Sequence, residues 1–285
     1  MQPSATAPGA PPAPTPALRV ALVGLGAMAQ ALMDLLQGDP LLRFEQVVVH
    51  AASRERAQAA LAAGGFGGVA VVTRLDLTTR RPDIVVECAG HAALDEHVLP
   101  ALAQGVPCLV ASVGALATPG LPERLEAAAR AGQAQVHLVP GAIGAIDAIA
   151  AARLGGLDRV CYRGRKPPLA WRSTPAEQRV DLTTLAAEAL IFEGSAREAA
   201  TLYPKNANVA ATLALAGLGL DRTEVRLYAD PAVQQNVHQI EASGAFGSLE
   251  LTLRCKTLAA NPKTSALVVY SLARALRNRV QPFSI

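Results

Sequence analysis

The spacing of apolar positions changes twice along this chain. From Leu18 they run unbroken through LRVALVGLG, stop at a pair of glycines, and resume in AMAQALMDLL at the three- and four-residue spacing of a helix. This predicts a strand, a tight turn and a helix. Short runs rich in Val, Ile and Leu follow, namely EQVVVHAAS, VAVVT, DIVVECAG, PCLVAS and QVHLVPG, with helical stretches at 54–63, 92–104 and 121–131 between most of them. Strands apolar at nearly every position, alternating with helices, predict a parallel sheet covered on both faces.

Past Gly141 the texture shifts to helices and then to EVRLYAD, VHQIEASG and GSLELTLRC, which alternate with the two-residue period of antiparallel strands. Thr174 with Glu177 and Ser195 with Glu198 have capping-box spacing, and Asn261 followed by Pro262 reads as the start of the last helix. The expected fold is α/β: a Rossmann-type parallel sheet over 18–140, then an α+β domain with a largely antiparallel sheet over 141–285. Its last helix, 262–278, is expected to return to the first domain. Residues 1–17 are a Pro/Ala-rich stretch with neither the basic start nor the apolar run of a signal peptide, and read as a disordered tail.

Composition narrows the partners. With 285 residues, 51% of them hydrophobic, the chain can bury a sizeable core. A net charge of +3 from scattered Lys and Arg, with no basic block, argues against nucleic acid. No apolar stretch has the length of a membrane span. The four cysteines stand alone, with no C-x-x-C pair, so a reduced cytoplasmic setting is expected; no His/Cys/Asp/Glu set has metal-ligand spacing.

The first turn carries chemistry. In VGLGAMAQAL, Gly24, Gly26 and Ala29 form G-x-G-x-x-A between a strand and a helix, a spacing that admits a pyrophosphate at the helix N-terminus, with Ala27 and Met28 beside it. NAD or NADP is the implied cofactor. The second strand ends in Ala51, Ala52, Ser53 and Arg54, without the acid that would hold a ribose diol. Ser53 and Arg54 therefore tilt the expectation toward accepting a 2′-phosphate; as a plain helix cap and a solvated arginine they fit equally well. Cys88, Ala89 and Gly90, then Ser112 and Val113, end the next strands and are expected at the nicotinamide end. His50, His91, His97 and His137 read as ordinary structural or solvated histidines.

The segments GAIGAIDAI, LIFEGSAREAATLYPKN, NVAATLAL, QNVHQIEASGAFG and NPKTS resemble the L-aspartate dehydrogenase family from Leu18 to the C-terminus. The resemblance implies a second domain that shapes the substrate pocket and forms a homodimer. It also implies reversible, NAD(P)-dependent oxidative deamination of L-aspartate to iminoaspartate, then oxaloacetate and ammonia, feeding NAD biosynthesis. His238 matches the family's active-site histidine, and Ala142 and Asn208 match cofactor contacts. A histidine suits the proton transfers because it titrates near neutral pH. Two substrate carboxylates call for cations or N–H donors. The candidates are Lys166 in YRGRKPPLAWR beside Arg163 and Arg165, then Lys205, Asn206 and Thr212, and Lys263 and Thr264 at the expected start of the last helix. Two other readings fit the same residues: a dehydrogenase of another small acidic substrate, and a dinucleotide-binding sensor without turnover.

Overall fold

A computed structural model of the protein describes residues 16–204 and 208–284, the side chains at 262 and 263 excepted. The proposed tail up to residue 15, Lys205 and Asn206, and the Lys263 side chain lie outside the described residues.

Six parallel strands build the first sheet: β1 (Leu18–Val23), β2 (Leu42–Val48), β3 (Ala70–Val72), β4 (Ile84–Glu87), β5 (Cys108–Val110) and β6 (Val136–Leu138). Their order is β3-β2-β1-β4-β5-β6, so the strand order reverses between β1 and β4 and opens a crevice at their carboxyl ends. Every residue of β4 is buried, as the unbroken apolar run requires of a strand covered on both faces. One face packs on α1 (Ala27–Leu35) and α2 (Arg54–Ala63), the other on α3 (Leu99–Ala103) and α4 (Leu121–Ala131).

The chain then crosses through α5 (Ile146–Gly155) into β7 (Leu157–Lys166), β8 (Ala189–Ser195), α6 (Ala196–Leu202), α7 (Asn208–Ala216), β9 (Glu224–Ala229), β10 (Asn236–Gly244) and β11 (Gly247–Cys255). The second sheet has the order β11-β10-β7-β9-β8, and only β7 and β9 run parallel. Here alternation governs burial. Tyr162, Ile240 and Leu227 point into a core completed by α5, α6 and α7. The opposite face carries ion pairs, Arg159 with Glu224 and Arg163 with Glu241 among them. Ser195 and Glu198 form a complete capping box on α6. Thr174 caps only a single 3-10 turn, accepting from the Ala176 N–H, while Glu177 takes the Ser173 N–H instead.

The end of the chain departs from expectation. Asn261 does not start a helix: a short hairpin forms from β12 (Thr257–Leu258) and β13 (Asn261–Ser265), and α8 (Leu267–Arg277) begins only after it. The Asn-Pro signal is local, whereas the Ala266 N–H bonds back to the Lys256 carbonyl and closes the hairpin. Helix α8 then lies on α1, burying Val269, Leu272 and Leu276 among residues of the first sheet. Arg277 pairs with Asp39 at 3.1 Å on the same side.

Leu272 is fully buried in this cluster, so Leu272→Ala is expected to lower unfolding stability by about 2–5 kcal/mol in urea titrations. A change near zero would mean that α8 is not part of the first domain's core.

Candidate active site

A cleft lies between the carboxyl ends of the parallel sheet and the second sheet. Met28 and Ala111 come to it from the first domain, and Gly141 and Ala142 from the crossover. Lys166, Asn208, Thr212, Asn236, His238 and Thr264 come from the second domain.

His238 is the third residue of β10, an interior strand, and only 3% exposed. Its Nδ1 is 2.8 Å from the Tyr162 hydroxyl. Its Nε2 is buried with no hydrogen-bond partner among the described residues, and the residue lines the cleft. A buried polar atom is seldom left bare unless a ligand or water completes it. Burial, followed by the charge of Lys166, pushes the His238 pKa down to about 3, so the ring is neutral at neutral pH.

Alternation along β7 sorts the basic residues that the sequence placed together. The run YRGRK lies within strand β7, so Tyr162, Gly164 and Lys166 share one face while Arg163 and Arg165 take the other. Arg163 pairs with Glu241 and Arg165 with Glu188, away from the cleft. Lys166 is buried on the cleft, its Nζ 5.4 Å from the centre of the Trp171 ring. Asn208 opens α7, its Oδ1 accepting the Gly114 N–H at 2.9 Å and tying the domains together; Thr212 donates to the Asn208 carbonyl one turn on. Thr264 reaches the cleft from β13 and not from a helix start, so the expected helix-terminal anion site is absent there.

The glycine turn fits a dinucleotide. Gly24 has φ +92°, and a Cβ there would lie 2.9 Å from Ala89 Cβ, so both conformation and contact demand glycine. Gly26 has neither constraint: its φ is −85° and a Cβ would meet no protein atom within 4 Å. The open space beside Gly26, at the uncapped N-terminus of α1, is where a pyrophosphate would rest. Ala27 follows as the first residue of α1, and Ala29 is fully buried against the sheet.

A groove lined by Gly24, Gly26, Ser53, Arg56, Cys88 and Ala89 continues outward, and Gly90 lines an adjoining one. Arg54 is exposed and lines neither; Arg56, two residues further along α2, donates to the Ser53 hydroxyl at 3.3 Å. At the nicotinamide end Ala111 lines the cleft, whereas Val113 is packed in the core and Ser112 is held by Glu87.

Glu87 went unread in the sequence. Fully buried at the end of β4, its carboxylate accepts the N–H groups of Ala89, Gly90 and Ser112 and the Ser112 hydroxyl, all at 2.8–3.0 Å. It fixes both loops that face the crevice. An acid closing an apolar strand in VVECAG was the available signal. Asn236 was also missed. It sits two residues before His238 on the same strand face, lines the cleft, and donates to Ser265 Oγ at 3.1 Å.

The family model for the C-terminal domain of aspartate dehydrogenase matches residues 147–279, and that for the NAD-binding domain of homoserine dehydrogenase matches 24–139. The L-aspartate dehydrogenase of Ralstonia nicotianae is 60% identical over 268 residues, 94% of this chain and 100% of that protein. The chain belongs to the aspartate dehydrogenase family. Its relative in Pseudomonas aeruginosa is 59% identical with the same coverage. The crystal structure of aspartate dehydrogenase from Thermotoga maritima matches with a TM-score of 0.73 at 27% identity, over 94% of this chain and 99% of that one. A hyperthermophilic archaeal homoserine dehydrogenase in complex with NADPH, at TM-score 0.57 and 12% identity, shares the fold.

The neutral, buried His238 generates a pH prediction. Its folded pKa is depressed from 6.5 to about 3, so between those values the unfolded chain binds a proton that the folded chain does not. Its contribution to stability therefore falls as pH drops from 6.5 toward 3. The slope of unfolding free energy against pH in that window should be smaller in His238→Ala; an unchanged slope would contradict a buried neutral ring.

Proposed function

We propose that this protein is an NAD(P)-dependent L-aspartate dehydrogenase, interconverting L-aspartate with oxaloacetate and ammonia through iminoaspartate. The observation that carries the reading is the unpartnered His238 Nε2 beside the buried cation Lys166, in a cleft continuous with the carboxyl ends of the parallel strands. Bound nicotinamide supplies the hydride acceptor. The chain's own residues do the remaining work.

Lys166 is placed to hold a carboxylate of a doubly charged substrate in a partly dry site, where a cation is worth more than in water. Asn236 and Thr264 offer further polar contacts, with Lys205, Asn206, Thr212 and Lys263 as additional candidates from the sequence. His238 exchanges protons with the nitrogen and oxygen at the reacting carbon. A dianionic substrate opposes the effects of burial and of Lys166, so substrate binding raises the ring's affinity for a proton. Asn208 and Ala142 face the cleft where the nicotinamide carboxamide would sit, and Ser112 and Val113 support that end from behind.

The protein is further proposed to work as a cytoplasmic homodimer supplying iminoaspartate for NAD synthesis. In support, no described helix is long and apolar enough to cross a membrane, and the described cysteines are all unpaired.

Purified protein mixed with L-aspartate and either cofactor should produce reduced nicotinamide. His238→Ala should lower kcat by at least about a hundredfold, the scale of general acid–base catalysis, while cofactor affinity stays near wild type. Turnover of other amino acids but not aspartate would sink the substrate assignment, and an unchanged kcat would remove His238 from the chemistry.

Ser53 and Arg56 together form the proposed contact for a 2′-phosphate. Arg56→Ala is expected to raise KM for NADP about tenfold with little change for NAD, as loss of one charge-assisted hydrogen bond would do. Equal effects on both cofactors would place the arginine elsewhere.

A further inference from the structure

His238 and Tyr162 meet diagonally across neighbouring strands. His238 pairs with Gly164 in the antiparallel ladder of β10 and β7, and Tyr162 stands two residues before Gly164 on the same face. The two ring planes are 21° from parallel with their centroids 6.0 Å apart, and Nδ1 lies 2.8 Å from the phenol oxygen. Gly164 makes the approach possible: a Cβ there would lie 2.7 Å from the Tyr162 hydroxyl oxygen. Bulk at the residue between them would separate the pair.

The hydrogen-bond inventory then assigns the proton. Tyr162 is 1% exposed, and among the described residues its hydroxyl has one hydrogen-bond partner, His238 Nδ1. If Nδ1 carried the ring proton, the phenol would accept it and its own O–H would be buried with nothing to receive it. If the phenol donates to Nδ1, the ring proton sits on Nε2, where a ligand in the cleft can take the bond. The second arrangement leaves no hydrogen stranded in the core. Burial also raises the Tyr162 pKa, which keeps the phenol protonated as this role requires.

We propose that Tyr162, given room by Gly164, is a positioning residue that holds neutral His238 with its proton on Nε2, so that the ligand-free enzyme presents an N–H donor to its substrate. This rests on reading the cleft as the substrate site. An N–H donor complements the carbonyl oxygen of a 2-oxo acid, in the way a neutral histidine polarises a carbonyl in other enzymes. It opposes an ammonium group, which is itself only a donor. The resting site is therefore matched to the oxo acid rather than to the amino acid.

The test is 15N NMR of the histidine-labelled, ligand-free protein, with the His238 signals identified by their loss in His238→Ala. The expected wild-type spectrum has a pyridine-type Nδ1 and a protonated, pyrrole-type Nε2. In Tyr162→Phe the two nitrogens should shift toward a mixture of tautomers, and Gly164→Ala should reproduce the shift with the phenol still present. In parallel, the affinity of the complex with oxidised cofactor for oxaloacetate should fall about tenfold in Tyr162→Phe, as expected for one lost oriented hydrogen bond, while that of the complex with reduced cofactor for L-aspartate changes less. A wild-type spectrum with the proton on Nδ1 overturns the proposal without any variant, and a wild-type pattern retained in Tyr162→Phe overturns the part assigned to the phenol. Failure to turn over aspartate would instead defeat the functional reading and leave the NMR result standing.

Discussion

The antiparallel register that sets His238 opposite Gly164 is the constraint on which the cleft depends. In a ladder with a side-chain period of two, that pairing places Tyr162, Gly164 and Lys166 on the same face as Asn236 and His238. A slip of one residue would turn the histidine toward the ion-paired face of Arg163, Arg165 and Glu241. One register thus keeps a cation, a neutral imidazole and a phenol together in a buried site, with the arginines kept out of it.

Electrostatics in the cleft follow from this packing. Lys166 and His238 are both nearly buried, so the positive charge of one disfavours a proton on the other. A site holding one buried cation and one neutral donor or acceptor suits an anionic substrate. On the other side of the cleft, Glu87 plays the complementary part. Its carboxylate, satisfied by three backbone N–H groups and a hydroxyl, fixes the loops after β4 and β5 so that the crevice has a rigid wall.

The two halves are joined at a few points that also shape the site. Asn208 bonds the backbone at Gly114, Arg197 donates to the Ala117 carbonyl at 3.0 Å, and α8 returns to pack on α1. These contacts couple the opening of α7 and the hairpin before α8 to the dinucleotide crevice. The second domain is therefore held against the crevice by hydrogen bonds as well as by apolar packing.

Local pattern alone determined the parallel sheet, the glycine turn, the α+β second half and the capping box at Ser195, because each is written in residues close together in sequence. The family resemblance picked out His238, although periodicity by itself made it an ordinary histidine at the start of a strand. Tertiary structure decided what the pattern left open. It made YRGRK a strand and so separated Lys166 from two arginines; it replaced the helix expected at Asn261 with a hairpin; and it put Arg56 rather than Arg54 in the outer groove. It also brought Tyr162 to His238 and Glu87 to Ser112, across sequence separations of 76 and 25 residues. Such pairings carry no local signature, since what fixes them is strand register and the burial of polar atoms that must find partners once water is gone.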